Sequence, residues 1–197
     1  NYESIDFNGC YDLVGLHAHD SLAAYRGRFI YHKFKQRKIP VIIGGRFIQT
    51  IPIEAALECA DSCMMSEAED IWAEVLADVK NHRLKKLYQS SILVDLSGKN
   101  LPLPRRDLIR NNYYRYHTIE VARGCINSCN FCTANVLFKS RYRMYPIERI
   151  ELDLKNILLK FNLKRSLIYF VDEDIGLEPN FKIELFKRLE KYNIPWI

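Results

Sequence analysis

The stretch RGCINSCNFC, residues 123–132, carries Cys125, Cys129 and Cys132 in the spacing C-x3-C-x2-C. Cysteine thiolates are the usual protein ligands of iron–sulfur clusters. Three thiolates on one short loop can bind three irons of a cuboidal cluster and leave the fourth iron open for a small molecule, as catalytic metal sites do. The stretch follows a predicted strand, YHTIEVA at 116–122. The loop is therefore expected at the carboxyl end of a strand, where parallel α/β units place their sites.

A zinc site is the main alternative, with His117 or another cysteine as the fourth ligand. Structural zinc sites favour two pairs of ligands, such as C-x2-C with a second pair further along. The chain has no Cys or His after Cys132, and His117 lies upstream on the predicted strand. The spacing therefore favours an iron–sulfur cluster over zinc, with chance clustering of core cysteines as a third possibility.

The rest of the chain alternates predicted strands with predicted helices. The predicted strands are YDLVGLHA (11–18), PVIIGG (40–45), DSCMM (61–65), YHTIEVA (116–122), SLIYFV (166–171) and IPWI (194–197). The predicted helices cover 22–37, 53–58, 67–81, a segment opened by Pro146, and 181–192. The helix after Pro146 has one apolar stripe, formed by Ile147, Ile150, Leu154, Ile157 and Phe161. Repeated strand–helix pairs predict parallel sheets with right-handed crossovers.

These segments together resemble the radical SAM enzymes. The cysteine triplet with an aromatic residue before its last cysteine is similar to theirs. VARGCINSCNFCTANVLFKSRYRMYPIERI, followed by IYFVDEDIG, resembles the members that carry an N-terminal cobalamin-binding domain. DLVGLHAHDS, PVIIGG and MMSEAEDIW resemble the second half of that domain, and PLPRRDLI resembles the segment that joins the two.

The resemblance implies an α/β protein in two parts. Residues 1–82 would be a partial flavodoxin-like (Rossmann-type) cobalamin-binding domain, and 83–115 a linker. Residues 116–197 would be the N-terminal part of a radical SAM (β/α) TIM-type barrel. A complete barrel takes roughly 250 residues, and the chain starts at Asn1 rather than Met. We therefore expect a fragment of a longer protein.

The resemblance also implies the cofactors and the residues that hold them. Cys125, Cys129 and Cys132 would bind a 4Fe–4S cluster, whose open iron is chelated by S-adenosylmethionine and whose electron cleaves it to a 5′-deoxyadenosyl radical. The expected contacts to S-adenosylmethionine are Phe131, Asp172, Glu173 and Asp174. Packing in the base of the loop is the alternative role for Phe131, and a solvated acidic loop is the alternative for the carboxylates. No catalytic residue is assigned beyond these.

In the cobalamin-binding half, the resemblance points to Gly44, Gly45 and Glu67 as residues near the cofactor, with a plain strand-to-helix turn as the alternative. One departure is Ser66, where relatives usually have Gly. The D-x-H-x-x-G motif that supplies an axial histidine in some cobalamin domains is absent from the sequence. His17 and His19 are expected to line a pocket or lie on the surface rather than to bind a metal.

Two further function classes stay open. A methylthiotransferase-like radical SAM enzyme would need a second cluster, for which Cys10, Cys59 and Cys63 are available, although core packing is the better interpretation of the last two. A zinc-binding module without catalysis is the other class. The main hypothesis is cobalamin-dependent methyl transfer or related carbon chemistry.

Composition limits partners and location. The net charge of +5, with the basic runs KFKQRK and RLKK, does not indicate nucleic acid binding. No run approaches the ~20 apolar residues of a membrane span, and no secretory signal is visible. Six cysteines without an export signal indicate reduced thiols, so we expect a cytoplasmic protein. The resemblance implies a small-molecule or lipid substrate and an electron donor such as flavodoxin or ferredoxin.

Overall fold

The protein folds into two compact units. The computed structural model describes residues 5–98, 101–109, 114–161 and 167–197. The units are Asn1–Val94 and Asp95–Ile197. Because the boundary lies at residues 94 and 95, the segment 83–115 that the sequence suggested as a linker is divided between them. The assignment of the two units to a cobalamin domain and a barrel stays a prediction.

The first unit contains a parallel sheet of four strands in the order β1-β2-β3-β4. They are β1 (Val14–His17), β2 (Val41–Gly44), β3 (Ser62–Met64) and β4 (Leu87–Tyr88). In the register, Leu16 lies beside Ile43, and Ile43 lies beside Cys63. The first three strands and their parallel pairing are confirmed predictions. The sequence did not reveal β4, because a strand of two residues is too short to show a periodic pattern.

Three helices accompany this sheet: α1 (Ser21–Gln36), α2 (Ile53–Ala56) and α3 (Trp72–Lys80). The side chain of Asp20 caps α1 by accepting a hydrogen bond from the backbone N–H of Ala23 at 2.7 Å. Pro52 precedes α2, which suits proline because the first turn of a helix has no backbone acceptor for that position. The predicted helix over 67–81 is shorter at its start, where residues 67–71 form turns.

The first unit buries both faces of the central strand of its sheet. The buried residues of the central strand β2 are all apolar, and Ile42 and Ile43 are 2% and 0% exposed. Ile43 belongs to a cluster with Tyr31 of α1, and Ile42 belongs to a separate cluster with Val75 of α3. A strand covered on both sides is typical of a parallel sheet between helix layers. Burying each isoleucine contributes about 1.5–3 kcal/mol to stability.

The second unit repeats the strand–helix order. Its elements are β5 (Tyr116–Ile119), β6 (Ala122–Arg123), α4 (Ala134–Leu137), β7 (Arg143–Met144), α5 (Ile147–Lys160), β8 (Leu167–Phe170) and α6 (Pro179–Glu190). β5 and β8 pair in parallel, with His117 beside Ile168. A parallel bridge joins Ile168 to Trp196, within the predicted strand 194–197. Ser166, the first residue of the predicted strand 166–171, lies outside the described residues. This α/β order agrees with the prediction, and the complete barrel stays a prediction.

Helix α5 provides the core of the second unit. It begins directly after Pro146, as predicted. Ile150, Leu154 and Ile157 of the predicted stripe are at most 1% exposed. Phe161 continues the stripe, and its ring stacks on the buried ring of His117 with centroids 4.2 Å apart.

A buried carboxylate fastens α5 to α6. Glu151 accepts hydrogen bonds from the Lys191 ammonium at 2.8 Å and the Tyr192 hydroxyl at 2.5 Å. These donors, with Lys155, lower the pKa of Glu151 to about 2.

Across the described part of the chain, every helix is too short or too polar to cross a membrane.

Candidate metal centre

The three predicted ligands lie on one loop whose ends pair with each other. β6 and β7 form an antiparallel ribbon in which Arg123 lies beside Arg143. Cys125, Cys129 and Cys132 all fall between these strands, and all three are free thiols. Cys125 is half-buried, whereas Cys129 and Cys132 are exposed. The ribbon therefore holds the two ends of the cysteine loop together and leaves two of its thiols at the surface.

The predicted strand over 116–122 is divided in the structure. β5 ends at Ile119, and β6, which pairs with β7 rather than with β8, begins at Ala122. At this strand break the backbone N–H groups of Val121 and Ala122 both donate to Oδ1 of Asp172, the first of them at 3.0 Å. The side chain of Asp172, which follows β8, thus replaces a strand partner for two backbone groups. The acceptor lies some 50 positions further along the chain, so local sequence patterns do not reveal this break.

Gly124 is required at the entry to the cysteine loop. Its φ is +88°, and a Cβ atom there would lie 2.0 Å from the carbonyl oxygen of Arg141. A residue with a side chain would meet both backbone strain and a collision. The backbone N–H of Gly124 donates to Oε2 of Glu173 at 2.9 Å. The glycine before the first cysteine is therefore explained by the fold of the loop itself.

The acidic end of β8 provides one carboxylate oxygen without a partner. Oδ2 of Asp172 is buried and accepts no hydrogen bond from the described residues. Burial raises the pKa of Asp172 to about 6, against the opposing effect of the backbone donors. A buried acceptor left in this state costs free energy unless a donor reaches it. Asp172 is therefore the predicted carboxylate that is best prepared for a cationic or hydroxyl-bearing ligand.

The other two predicted carboxylates have partners within the protein. Glu173 bonds Gly124, as described above. Oδ1 of Asp174 accepts the backbone N–H of Gly176 at 2.7 Å, which closes a turn after β8. The solvated-loop alternative fits Asp174 better than it fits Asp172.

Tyr142 is a site residue that the sequence did not reveal. Its hydroxyl is buried and has no hydrogen-bond partner among the described residues. Burial raises the pKa of Tyr142 to about 12, with further contributions from the charges of Asp172 and Asp174. A tyrosine in SRYRMY carries no sequence signal for this role, because only the pairing of β6 with β7 brings it towards the end of β8.

A second group of side chains braces the base of the loop. The guanidinium Nε of Arg123 pairs with both oxygens of Glu120 at 3.1 and 3.0 Å. The hydroxyl of buried Tyr145 donates to Glu120 Oε2 at 2.9 Å, and the Arg149 guanidinium lies 4.4 Å from the Tyr145 ring centroid. Burial, followed by the Glu120 charge, raises the pKa of Tyr145. This group joins both strands of the ribbon to the segment after β5.

Phe131 does not pack in the base of the loop. Its side chain is 91% exposed. The packing alternative is therefore wrong for this residue, and its predicted contact with an adenine stays a prediction.

The donor set fits an iron–sulfur cluster more closely than zinc. Among the described residues, no three His, Cys, Asp or Glu side chains are already arranged around one point as metal ligands. His117, the proposed fourth zinc ligand, is 3% exposed and stacked on Phe161. The loop thus offers three thiols, and the buried Asp172 oxygen has no donor among the described residues. Three thiols on one loop are a donor set that fits an iron–sulfur cluster.

The cysteines that a second cluster would need do not share a site. Cys59 and Cys63 are 8% and 0% exposed and belong to the core of the first unit. Burial raises the pKa of both thiols, which disfavours the thiolate form that binds metals. Cys10 is exposed. The core-packing prediction for Cys59 and Cys63 is confirmed.

Of the two glycines at the end of β2, Gly45 is required by the packing of the chain on itself, and Gly44 is closely approached by a side chain. Gly45 has a φ of +112°, and a Cβ atom there would lie 2.4 Å from the carbonyl oxygen of Ala18. At Gly44 a Cβ atom would lie 3.3 Å from Cβ of Met64. Neither glycine therefore indicates a ligand by itself, and their assignment to cobalamin stays a prediction.

Glu67 and Ser66 hold the segment that follows β4. The Glu67 carboxylate accepts the backbone N–H of Val94 at 2.7 Å, and the Ser66 hydroxyl accepts that of Ser90 at 3.1 Å. Ser66, where the sequence departs from the expected glycine, thus has a structural role.

His17 and His19 are exposed, with nearly parallel rings 6.2 Å apart, which agrees with a surface location.

Comparison with known proteins finds methyltransferases. No family model matches the chain. Bacteriochlorophyllide d C-8(2)-methyltransferase of Chlorobaculum tepidum is 29% identical over 195 residues, which cover 89% of this chain and 41% of that protein. The C-12(1)-methyltransferase of the same organism is 25% identical over 194 residues, 97% of this chain and 42% of that protein. Hopanoid C-3 methylase of Methylococcus capsulatus is 29% identical over 119 residues, 52% of this chain and 22% of that protein.

The fold matches that of a solved methyltransferase. The radical S-adenosylmethionine methyltransferase TsrM of Kitasatospora setae, with cobalamin and a [4Fe-4S] cluster bound, superimposes with a TM-score of 0.70 at 15% identity over 94% of this chain and 41% of that one. TsrM with tryptophan and a SAM analogue gives the same TM-score at 12% identity. The chain spans about two fifths of the length of TsrM and of the two bacteriochlorophyllide methyltransferases. It is thus related in sequence to methyltransferases and shares the α/β fold of a radical SAM methyltransferase over the part that it spans.

Proposed function

We propose that this chain is the cofactor-binding part of a cobalamin-dependent radical S-adenosylmethionine methyltransferase. The observation that carries the proposal is a loop of three free thiols, closed by the β6–β7 ribbon, beside a buried carboxylate oxygen that has no donor among the residues that the structure describes. The methyltransferase relatives and the fold of TsrM support the same reaction class.

In this proposal the loop supplies the ligands of a 4Fe–4S cluster. Cys125, Cys129 and Cys132 would bind three irons as thiolates and would leave the fourth iron open for S-adenosylmethionine. The chemistry that the bound groups supply is reductive cleavage of S-adenosylmethionine and methyl transfer through cobalamin. Exposure of Cys129 and Cys132 allows the loop to accept iron and sulfide from solution.

The remaining residues of the site orient and shield the ligand. Oδ2 of Asp172 accepts a hydrogen bond from the ligand's ammonium group, a charge-assisted contact that suits a carboxylate. The exposed ring of Phe131 provides an apolar face for the adenine. Tyr142, whose hydroxyl is buried near this carboxylate, offers a second polar contact at the same end of the sheet.

Cobalamin is assigned to the first unit, at the carboxyl edge of its parallel sheet. Ligands of open α/β sheets bind at this edge. Gly44, Gly45 and Glu67 lie there, after β2 and β3. The acceptor of the methyl group is a small-molecule or lipid substrate, and a flavodoxin or ferredoxin would supply the electron.

Anaerobic reconstitution with iron and sulfide tests the proposal. The chain should bind about four irons and acquire the broad visible absorbance of a cluster. Cys125→Ala, Cys129→Ala and Cys132→Ala should each lose most of this iron. Cys10→Ala is the matched control, because Cys10 is exposed but lies outside the loop. One tightly bound zinc and no iron in the wild-type chain would overturn the proposal.

A further inference from the structure

Glu173 touches the backbone directly before the first cysteine. Its Oε2 accepts the N–H of Gly124 at 2.9 Å, across 49 positions of sequence. Gly124 and Cys125 are consecutive, so this bond fixes the peptide that leads into Cys125. The sequence suggested Glu173 as a contact to S-adenosylmethionine, and the structure instead places one of its oxygens on the protein backbone.

The N–H of Gly124 needs a partner that the ribbon does not supply. Pairing of β6 with β7 ends at Arg123 and Arg143. Gly124 then turns to a φ of +88°, with the Arg141 carbonyl pressed against the position where a Cβ would stand. A buried or half-buried backbone donor without an acceptor is costly. A carboxylate meets this need with a charge-assisted bond, which is stronger than a bond to a neutral group.

Asp172 performs the same task just upstream. Its Oδ1 accepts the N–H groups of Val121 and Ala122. Two consecutive carboxylates at the end of β8 therefore hold three of the four backbone N–H groups from 121 to 124. The entry of the cysteine loop is therefore fixed to the segment that follows β8 as well as by the β6–β7 ribbon.

We infer that Glu173 is a positioning residue that sets the direction from which Cys125 reaches the cluster. This role rests on the proposed function, since it concerns the same loop. Outer contacts of this kind orient metal ligands and affect both metal affinity and the electronic properties of the centre. Glu173 acts through the Gly124 peptide and does not itself touch the metal.

Three variants separate positioning from cofactor contact. Glu173→Ala removes the acceptor, and Glu173→Gln keeps an amide oxygen that can accept the Gly124 N–H. Glu184→Ala is the control, because Glu184 is an exposed acid on α6 outside the site. Amide hydrogen exchange of the metal-free chain reports on the Gly124 bond, and the electron paramagnetic resonance spectrum of the reconstituted, reduced chain reports on the cluster.

In Glu173→Ala, exchange in the segment 121–125 should accelerate about tenfold, as expected for loss of one charge-assisted bond. Iron affinity should fall about tenfold, and the resonance spectrum should change. Glu173→Gln should restore most of both, and Glu184→Ala should match the wild type. Should Glu173→Ala fail to fold, Glu173→Gln decides alone. Exchange of 121–125 that is faster than in the wild type, with a changed spectrum, is then expected because a neutral amide oxygen accepts more weakly than a carboxylate, and wild-type values of both would contradict the positioning role.

Unchanged exchange and an unchanged spectrum in Glu173→Ala, together with weaker binding of S-adenosylmethionine, would overturn the positioning role and return Glu173 to the cofactor. The failure of the proposed function has a different signature. In that case the wild-type chain binds no iron, while the exchange difference between wild type and Glu173→Ala persists.

Discussion

The guanidinium of Arg106 forms a two-point ion pair with the carboxylate of Asp153, at 3.0 and 2.8 Å. Arg106 lies in the short 3₁₀ helix Arg106–Leu108, and Asp153 lies on α5. The two side chains are only 11% and 6% exposed. The segment PLPRRDLI, which sequence suggested as a joining segment, is therefore fastened to the helix core of the second unit.

Removing Arg106 should destabilise the second unit. Arg106→Ala leaves the Asp153 carboxylate buried without its partner, a situation that costs about 3 kcal/mol in comparable buried pairs. Urea unfolding should report this loss. Arg105→Ala is the matched control, because Arg105 pairs with Asp107 at the surface, where both side chains are more than 60% exposed, and surface pairs contribute about 0–1 kcal/mol. Equal stability of the two variants would contradict a structural role for the Arg106 pair.

The loop should not tolerate a side chain at Gly124. Gly124→Ala combines a left-handed backbone with a contact of 2.0 Å to a carbonyl oxygen, so we expect a loss of at least about 2 kcal/mol and loss of iron binding after reconstitution. Gly15→Ala is the control, since the nearest atom to its Cβ position is 3.9 Å away. Iron content and thermal unfolding measure the two effects, and a Gly124→Ala chain with wild-type iron content would show that the loop entry is not fixed.

Features that depend only on neighbouring residues could be predicted from the sequence. They are the spacing of the three cysteines, Cys125, Cys129 and Cys132, and the apolar stripe of α5. The strand break at Val121 and the bond from Gly124 to Glu173 join positions that lie far apart in sequence. No periodicity or composition reveals such pairs, nor does it reveal the buried hydroxyl of Tyr142. The sequence therefore predicted which residue types form the site, and the fold shows that Asp172 has an oxygen without a partner among the described residues.

The same difference between local patterns and long-range contacts explains which strands of the first unit could be predicted. Apolar runs predicted β1, β2 and β3, although β2 and β3 are largely buried and β1 alternates between half-buried and exposed residues. β4 has two residues, and the buried hydroxyl of one of them, Tyr88, donates to Asp78 of α3 at 2.9 Å. The sequence alone does not predict this bond, because it forms only once α3 and β4 pack together. Gly44 and Gly45 were predicted to lie near cobalamin, but in the structure Gly45 is explained by the backbone of Ala18 and Gly44 lies close to the side chain of Met64.

The two glycines after β2 should differ in sensitivity. Gly45→Ala should destabilise the first unit by about 2 kcal/mol or more, because its φ is +112° and the Ala18 carbonyl fills the space. Gly44→Ala should cost less, since its closest neighbour is a side-chain carbon at 3.3 Å. Thermal unfolding without cobalamin makes the comparison. Wild-type stability in Gly45→Ala, combined with weaker cobalamin binding, would instead assign the glycine to the cofactor.

The pKa of Asp172 predicts a characteristic dependence of stability on pH. Burial raises the pKa of this carboxyl from 3.8 to about 6 in the folded chain. Because the folded state holds the proton more tightly than the unfolded state, the contribution to stability is complete below pH 3.8 and is lost as the pH rises through 6. Asp172→Asn should flatten this part of the profile, which urea unfolding at pH 4, 5, 6 and 7 would measure.

At pH 7 the same substitution should have opposite effects on stability and on ligand binding. Asp172→Asn removes a buried charge while its amide oxygen can still accept from Val121 and Ala122, so the variant should be at least as stable as the wild type, by up to about 2 kcal/mol. It also removes the oxygen proposed to accept the ammonium group of S-adenosylmethionine, so binding of that cofactor to the reconstituted chain should weaken about tenfold. Glu184→Ala should alter neither quantity. A carboxylate kept at a cost to stability is typical of a binding residue, whereas loss of stability in Asp172→Asn with unchanged cofactor binding would show that Asp172 only holds the backbone at Val121 and Ala122.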